Sequence, residues 1–312
     1  MLKAYTIMGR GLGPADRIED ALWIDLVRPN DEEVRSLAEL GLDVPSLADM
    51  EEIEISNRLY REDEIETLTV VLPGLTDDGA QIAAPVSFIL TPARLVTVRH
   101  HTPRPFETFP TRAGQSSAGC ATPVELFLGL AEEVVARQAD LLEAAGRVLD
   151  ACGREVFSED VPRAATTLQA TLCKVGQQGE LIGRVRLALL TMERAVGFLD
   201  MRNRAASVRG LSDGLLRDIE ALSVHCDYLS SRLGLTVDAT LGLISLVQNA
   251  TVRIFSVVAV LFLPPTLVAS IYGMNFTLMP ELDQPWGYPA ALLLMLASAL
   301  GCYLVFKWKK WL

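Results

Sequence analysis

The sequence is poor in histidine, has no paired cysteines, and carries almost no charge near its C-terminus. Only three histidines occur, His100, His101 and His225, and none has metal-ligand spacing. The five cysteines, Cys120, Cys152, Cys173, Cys226 and Cys302, form no CxxC pair. This excludes a zinc ribbon or a dithiol redox motif and fits reduced, buried thiols in cytosol. There is no phosphate-binding loop and no nucleophile elbow. Gly9, Gly11 and Gly13 lack the following helix that a dinucleotide site needs. Neither an enzyme nor an organic cofactor is expected. Met1 to Thr6 lacks an apolar signal core, so no secretory peptide is expected. Net charge is −11, which argues against a nucleic-acid partner and is compatible with divalent cations.

Charge is segregated. Half the 312 residues are hydrophobic and 21% are charged, but from Ala239 to Phe306 the ionisable acids and bases are Arg253, Glu281 and Asp283 alone. A large soluble portion therefore precedes a small membrane portion. Residues 1–120 read as a cytoplasmic α/β domain, a sheet covered by helices. Ala21 to Val27 reads as a strand, and Asn30 with Glu33 as a helix start. Ser46 to Ser56 reads as a helix with Asp49 closing a capping box. Glu64 to Leu72, Ile82 to Leu90 and Arg94 to His100 read as strands, with turns at Pro73-Gly74 and Asp77-Asp78-Gly79. Pro103 to Pro110 and Gly114 to Gly119 read as loops. Thr122-Pro123-Val124-Glu125 opens a helix to about Asp150, with a break at Gly153 to Asp160. A partner helix to about Met201 completes an antiparallel pair over residues 121–210. Residues 211–273 read as one stalk helix running into a first span, roughly 90 Å at 1.5 Å per residue. Its single apolar stripe calls for self-association.

Ile254 to Ile271 and Tyr288 to Phe306 are uncharged runs long enough to cross a bilayer. Arg253 precedes the first, and Lys307, Lys309 and Lys310 follow the second. The loop over residues 274–287 has no Lys or Arg but holds Glu281 and Asp283. The positive-inside rule puts both termini, including the basic tail over 307–312, in the cytoplasm, with the loop outside. Trp286, Tyr288, Trp308 and Trp311 fit as interfacial anchors. One hairpin encloses no pore, so transport requires a closed oligomer. On the first span Asn249, Val252, Ser256, Ala259, Leu263, Thr266 and Ser270 share a small, neutral, polar face. Close helix packing is the competing explanation for such a face. Ile254, Val258, Leu261 and Val268 make the larger opposite face. A carboxylate-free lining suits a cation that keeps its hydration shell, as Mg2+ does. Leu263 is placed to gate by dewetting, and Glu281 and Asp283 to concentrate cations at the mouth, with ordinary loop charges as the plain alternative.

Tyr272-Gly273-Met274-Asn275-Phe276, Met279-Pro280-Glu281-Leu282 and Trp286-Gly287-Tyr288-Pro289 resemble the signature of CorA-type divalent-cation channels of the bacterial branch. Ile254 to Val258, Leu263 to Ser270 and the basic end Phe306 to Leu312 are similar to that branch too. Trp23-Ile24-Asp25-Leu26 and Glu51-Glu52-Ile53-Glu54 match more loosely. The resemblance implies a homopentamer in the bacterial inner membrane that carries Mg2+, with Co2+ and Ni2+ as other substrates. It implies a selectivity filter at Gly273, Met274 and Asn275. Pore positions carried over are Asn249, Val252, Phe255, Ser256, Leu263 and Thr266. It also implies closure by cytoplasmic Mg2+ at acidic sites between subunits, for which Asp77 and Asp78, facing Asp213 or Asp218, are the candidates. Solvated surface acids are the plain alternative for these four. A proton-coupled Zn2+ carrier of the same superfamily is the rival within transport. A membrane-anchored enzyme and a non-conducting scaffold or sensor are the rivals outside it.

Overall fold

The computed structural model describes residues 1–9, 11–158, 165–199, 206–274, 279–280 and 284–309. It falls into two compact units. The first is Met1–Ser158 with Leu172–Val237, and the second is Glu159–Thr171 with Asp238–Leu312.

The first unit holds a seven-stranded mixed sheet in the order β2-β1-β3-β7-β6-β5-β4. Its strands are β1 (Leu2–Met8), β2 (Gly11–Pro14), β3 (Trp23–Val27), β4 (Leu59–Glu62), β5 (Ile65–Leu75), β6 (Gln81–Leu90) and β7 (Leu95–Arg99). β3 and β7 are parallel, with Asp25 opposite Thr97 and Val27 opposite Arg99, and the other pairs are antiparallel. Alternation of side chains across the pleat gives the sheet two apolar faces. Ile24, Leu26, Ile89, Val96 and Val98 pack with Leu37, Leu42 and Met50, from or beside the short helices α1 (Asp31–Ala38) and α2 (Leu47–Glu51). Trp23, Leu68, Val70, Val86, Phe88 and Leu95 face the other way. They share a core with Phe106 and Phe109 of α4 (Pro105–Arg112), which follows α3 (Ile55–Arg58), and with three long helices. These are α5 (Pro123–Phe157), α6 (Ala165–Phe198) and α7 (Ala206–Tyr272).

The helix starts follow the capping residues. Asn30, Ser46 and Thr122 each accept from the backbone N–H three residues on, and Glu33, Asp49 and Glu125 close the boxes. Other elements differ from the sequence expectation. The Ser46–Ser56 helix is two short pieces, α2 and α3. Pro73 and Gly74 are not a turn: β5 runs through them, paired to Ala83 and Ile82. Pro103 to Pro110 is not a loop throughout, because Pro105 sits in the first turn of α4, where its missing N–H costs nothing. Gly153 does not break α5, whose flanking Cys152 and Val156 are buried. That burial outweighs the roughly 1 kcal/mol a helical glycine costs. The sheet and the helices on either side of residue 120 share one unit, because the first turns of α5 bury Val124, Phe127 and Leu128 in the sheet's core.

The sheet's margins are treated differently from its middle. At Val71, beyond the reach of the four-residue β4, the backbone N–H donates to Thr191 Oγ1 of α6 at 3.0 Å. The outer end of β4 carries exposed Arg61 and Glu62, and β2 is four residues ending in Pro14.

In the second unit α7 ends at Tyr272, and α8 (Gly287–Trp308) follows. α7 is helical without interruption for 67 residues and belongs to both units.

Candidate functional site

α7 and α8 are the two helices, among the described residues, long and apolar enough to cross a membrane. Their exposure is patterned. On α7, Val257 is buried and Leu261, Pro264, Val268 and Tyr272 are half-buried. On α8, Gly287 and Ala291 are buried and Met295, Ser298, Cys302 and Phe306 are half-buried. Steps of three and four residues make each set one stripe of its helix, as a packed seam requires.

The expected pore positions lie elsewhere on α7. Asn249, Val252, Phe255, Ser256, Leu263 and Thr266 are all exposed, Phe255 at 70% and Leu263 at 66%. At about 100° per residue they fall on one face, roughly opposite the sheltered stripe. The larger face expected opposite them is split. Leu261 and Val268 are sheltered, whereas Ile254 and Val258 are open.

Thr266 follows Pro264 and Pro265, inside the helix. Its hydroxyl donates to the Phe262 and Leu263 carbonyls, each at 2.9 Å. With its proton so committed, the hydroxyl oxygen offers only acceptor capacity to a neighbour. Thr251 does the same through Val247. The outward hydrogens of a hydrated cation need acceptors of this kind. A neutral lining can therefore hold the shell without stripping it.

At the end of α7 the Gly273 N–H donates to Ala269 O at 2.9 Å and the Met274 N–H to Ile271 O at 3.2 Å, a tightened last turn. A Cβ on Gly273 would lie 3.1 Å from Ala269 O, so the backbone is packed closely there. Met274 is 51% exposed. The remaining helix-end carbonyls carry partial negative charge. Asn275, Glu281 and Asp283 lie outside the described residues.

The four candidate regulatory acids are all in the first unit. Asp77 is ion-paired with Arg28. Asp78 accepts from the Thr76 hydroxyl, which holds its carboxyl below the usual range. Asp213 and Asp218 are exposed on α7, and Asp218 lines a small cleft with Glu132 of α5. Among the described residues no three His, Cys, Asp or Glu side chains gather at metal-binding distance. Gly210-Leu211-Ser212-Asp213-Gly214 spells a GxSxG pattern, but Ser212 is inside α7 and 2% exposed, so no elbow forms.

Sequence reasoning passed over a buried polar network in the sheet. Asp25 and Arg99, 1% and 2% exposed, pair at 3.1 and 2.9 Å through Arg99 Nε and Nη2. Thr97 Oγ1 donates to Asp25 at 2.8 Å and accepts from Trp23 Nε1 at 3.1 Å. Arg99 lies 5.0 Å over the Phe106 ring. The signal was there: single charges of opposite sign inside two apolar strands.

Residues 19–309 match the family described as CorA-like Mg2+ transporter protein. The chain belongs to that family. The magnesium transport protein CorA of Haemophilus ducreyi is 34% identical over 300 residues, covering 95% of this chain and 94% of that one. The magnesium transport protein CorA of Escherichia coli K12 is 36% identical over 301 residues, covering 94% and 92%. The fold agrees with the complete structure of the CorA magnesium transporter from Methanocaldococcus jannaschii, at TM-score 0.75 and 18% identity over 100% of this chain and 98% of that one. The full-length CmaX structure gives TM-score 0.65 at 17% identity, covering 99% and 97%. The CorA family is one of membrane transporters, and the two apolar C-terminal helices of this chain are its candidate spans.

Proposed function

We propose that this chain is one subunit of a homopentameric channel that admits Mg2+ across the bacterial inner membrane, with Co2+ and Ni2+ as further substrates. The observation that carries this reading is the open, uncharged face of α7 from Asn249 to Thr266, opposite the sheltered stripe and leading to Gly273. A single hairpin leaves that face to lipid. A ring of α7 helices turns it inward, where its hydroxyls, amide and carbonyls meet water. Gly273, Met274 and Asn275 from each subunit then form the outer ring that selects a hydrated cation, Leu263 and Phe255 narrow the passage, and Glu281 and Asp283 draw cations to the mouth. Arg253, Lys307 and Lys309 flank the spans, which supports a cytoplasmic position for both termini.

Reconstituted into proteoliposomes, the chain should pass Mg2+, Co2+ and Ni2+ down their gradients, whether or not a proton gradient is imposed. Flux of Zn2+ alone, driven only by protons, would put the proton-coupled reading in its place. No flux of any metal would leave a scaffold.

Cytoplasmic Mg2+ closes the channel, on this reading, through Asp77 and Asp78 of one subunit with Asp213 or Asp218 of the next. Arg28 competes for Asp77, so the site fills only when Mg2+ is plentiful. Millimolar Mg2+ should slow proteolysis of the detergent-solubilised protein, and Asp77→Ala with Asp213→Ala should remove most of that protection. Unchanged protection in the double variant would count against these residues.

A further inference from the structure

Two chain segments close one corner of the sheet. β5 ends at Leu75, and residues 101–103 follow just after β7. Leu75 and Thr102 exchange two backbone hydrogen bonds, of 3.1 and 2.9 Å. His101 is fully buried beside them. Its Nε2 lies 2.8 Å from the Leu72 carbonyl, which only accepts, so Nε2 carries the proton and Nδ1 is bare. Nδ1 is buried and has no hydrogen-bond partner among the described residues. The corner has no slack. A Cβ on Gly74 would lie 2.5 Å from the imidazole and 2.9 Å from the backbone of Thr102 and Pro103.

The charges acting on His101 are Arg99, Arg28 and His100, each a cation or able to become one. Arg99 Nη1 donates to the His101 carbonyl at 2.8 Å. Asp25, the nearby buried carboxylate, gives both oxygens to Arg99. β5 supplies Leu72, Pro73 and Gly74, none ionisable, and α4 supplies the Phe106 ring over Arg99. Glu51 acts on His100 rather than on His101.

We propose that His101 is a proton-sensitive latch: neutral, it locks the end of β5 to residues 101–103, and a proton on Nδ1 releases them. That proton would meet no acceptor, and the positive charges of Arg99 and Arg28 act against it. Burial accordingly pushes the imidazole from 6.5 down to about 4. The folded value lies below the unfolded one, so the latch is fully closed above about pH 6.5 and loses its hold as pH falls toward 4. Release reaches the Asp77 turn. Arg28 Nε donates to the His100 carbonyl at 2.9 Å, and the same guanidinium pairs with Asp77. Loosening residues 100–103 thus loosens the anchor of Asp77. An effect on Mg2+ sensing rests on the channel reading above; the latch itself does not.

Amide hydrogen exchange of the full-length protein in detergent, without Mg2+, tests the latch directly. Once intrinsic rates are removed, opening at Leu75 and Thr102 should rise by close to tenfold per pH unit between about 6.5 and 4. His101→Gln keeps a donor for Leu72 but takes no proton, so its profile should be flat. The double variant His100→Gln, His225→Gln retains only His101 and should keep the rise. A rise that survives His101→Gln, or one that vanishes in the double variant, overturns the proposal. Should His101→Gln not fold, the double variant and the wild type decide, and a flat profile in either overturns it.

Discussion

Replacing Asn275 by alanine is expected to abolish Mg2+ uptake while leaving the oligomer folded. The reason is the chemistry of the proposed filter. The face of α7 proposed to line the pore carries no carboxylate, so on that reading selection at its outer end rests on neutral acceptors. Among the side chains of Gly273, Met274 and Asn275, only the asparagine amide offers an oxygen to the hydration shell. A hydrogen bond to a charged partner is worth about 1.5–3 kcal/mol, so each one lost from the proposed ring lowers its occupancy by roughly ten- to a hundredfold. Size-exclusion chromatography should show an unchanged oligomer, because the amide is assigned to the ion and not to a core. Uptake near the wild-type level in cells lacking other Mg2+ uptake would remove Asn275 from the filter.

The second large effect concerns stability. Asp25→Ala leaves the Arg99 guanidinium buried without its counter-charge and strips Thr97 Oγ1 of its acceptor. Breaking a buried pair from one side costs about 3–5 kcal/mol, because the remaining ion has no solvent to turn to. The first unit should then unfold at markedly lower denaturant, read by proteolysis in guanidinium or by the thermal midpoint. Asp25→Leu with Arg99→Met removes both charges and should recover most of the loss. If Asp25→Ala alone were as stable as wild type, the pair would not be the anchor its burial implies.

These two sites differ in how they could be read from the chain. Asn275 could be proposed as a site because Gly273-Met274-Asn275 sits between two uncharged runs, and hydropathy and charge asymmetry need no tertiary information. The helix starts at Asn30, Ser46 and Thr122 were legible for a similar reason, since a capping box closes within four residues. Asp25 and Arg99 are 74 residues apart, and only the parallel register of β3 and β7 brings them together. Local signals also failed where tertiary packing overrode them. Pro73 and Gly74 have turn chemistry, but Gly74 is needed for His101 to approach, and the strand continues through both. β2 was missed because Gly11 and Gly13 leave it no alternation, and its partner β1 was missed with it, though together they form a hairpin. The face of α7 was legible as a period, and its exposure is what one chain shows of it.

The two margins of the sheet have a consequence for biogenesis. Subunits that assemble in a membrane are held at high local concentration while their soluble parts are still folding. An open, flat strand edge under those conditions templates pairing with the next copy, the route to aggregation. Here one margin is a four-residue strand ending in proline, and the other is a four-residue strand whose outer end bears Arg61 and Glu62. Where β5 extends past that short strand, Thr191 occupies the Val71 N–H. A newly made chain thus offers a neighbour little strand edge to add to, which disfavours edge-to-edge pairing between crowded copies.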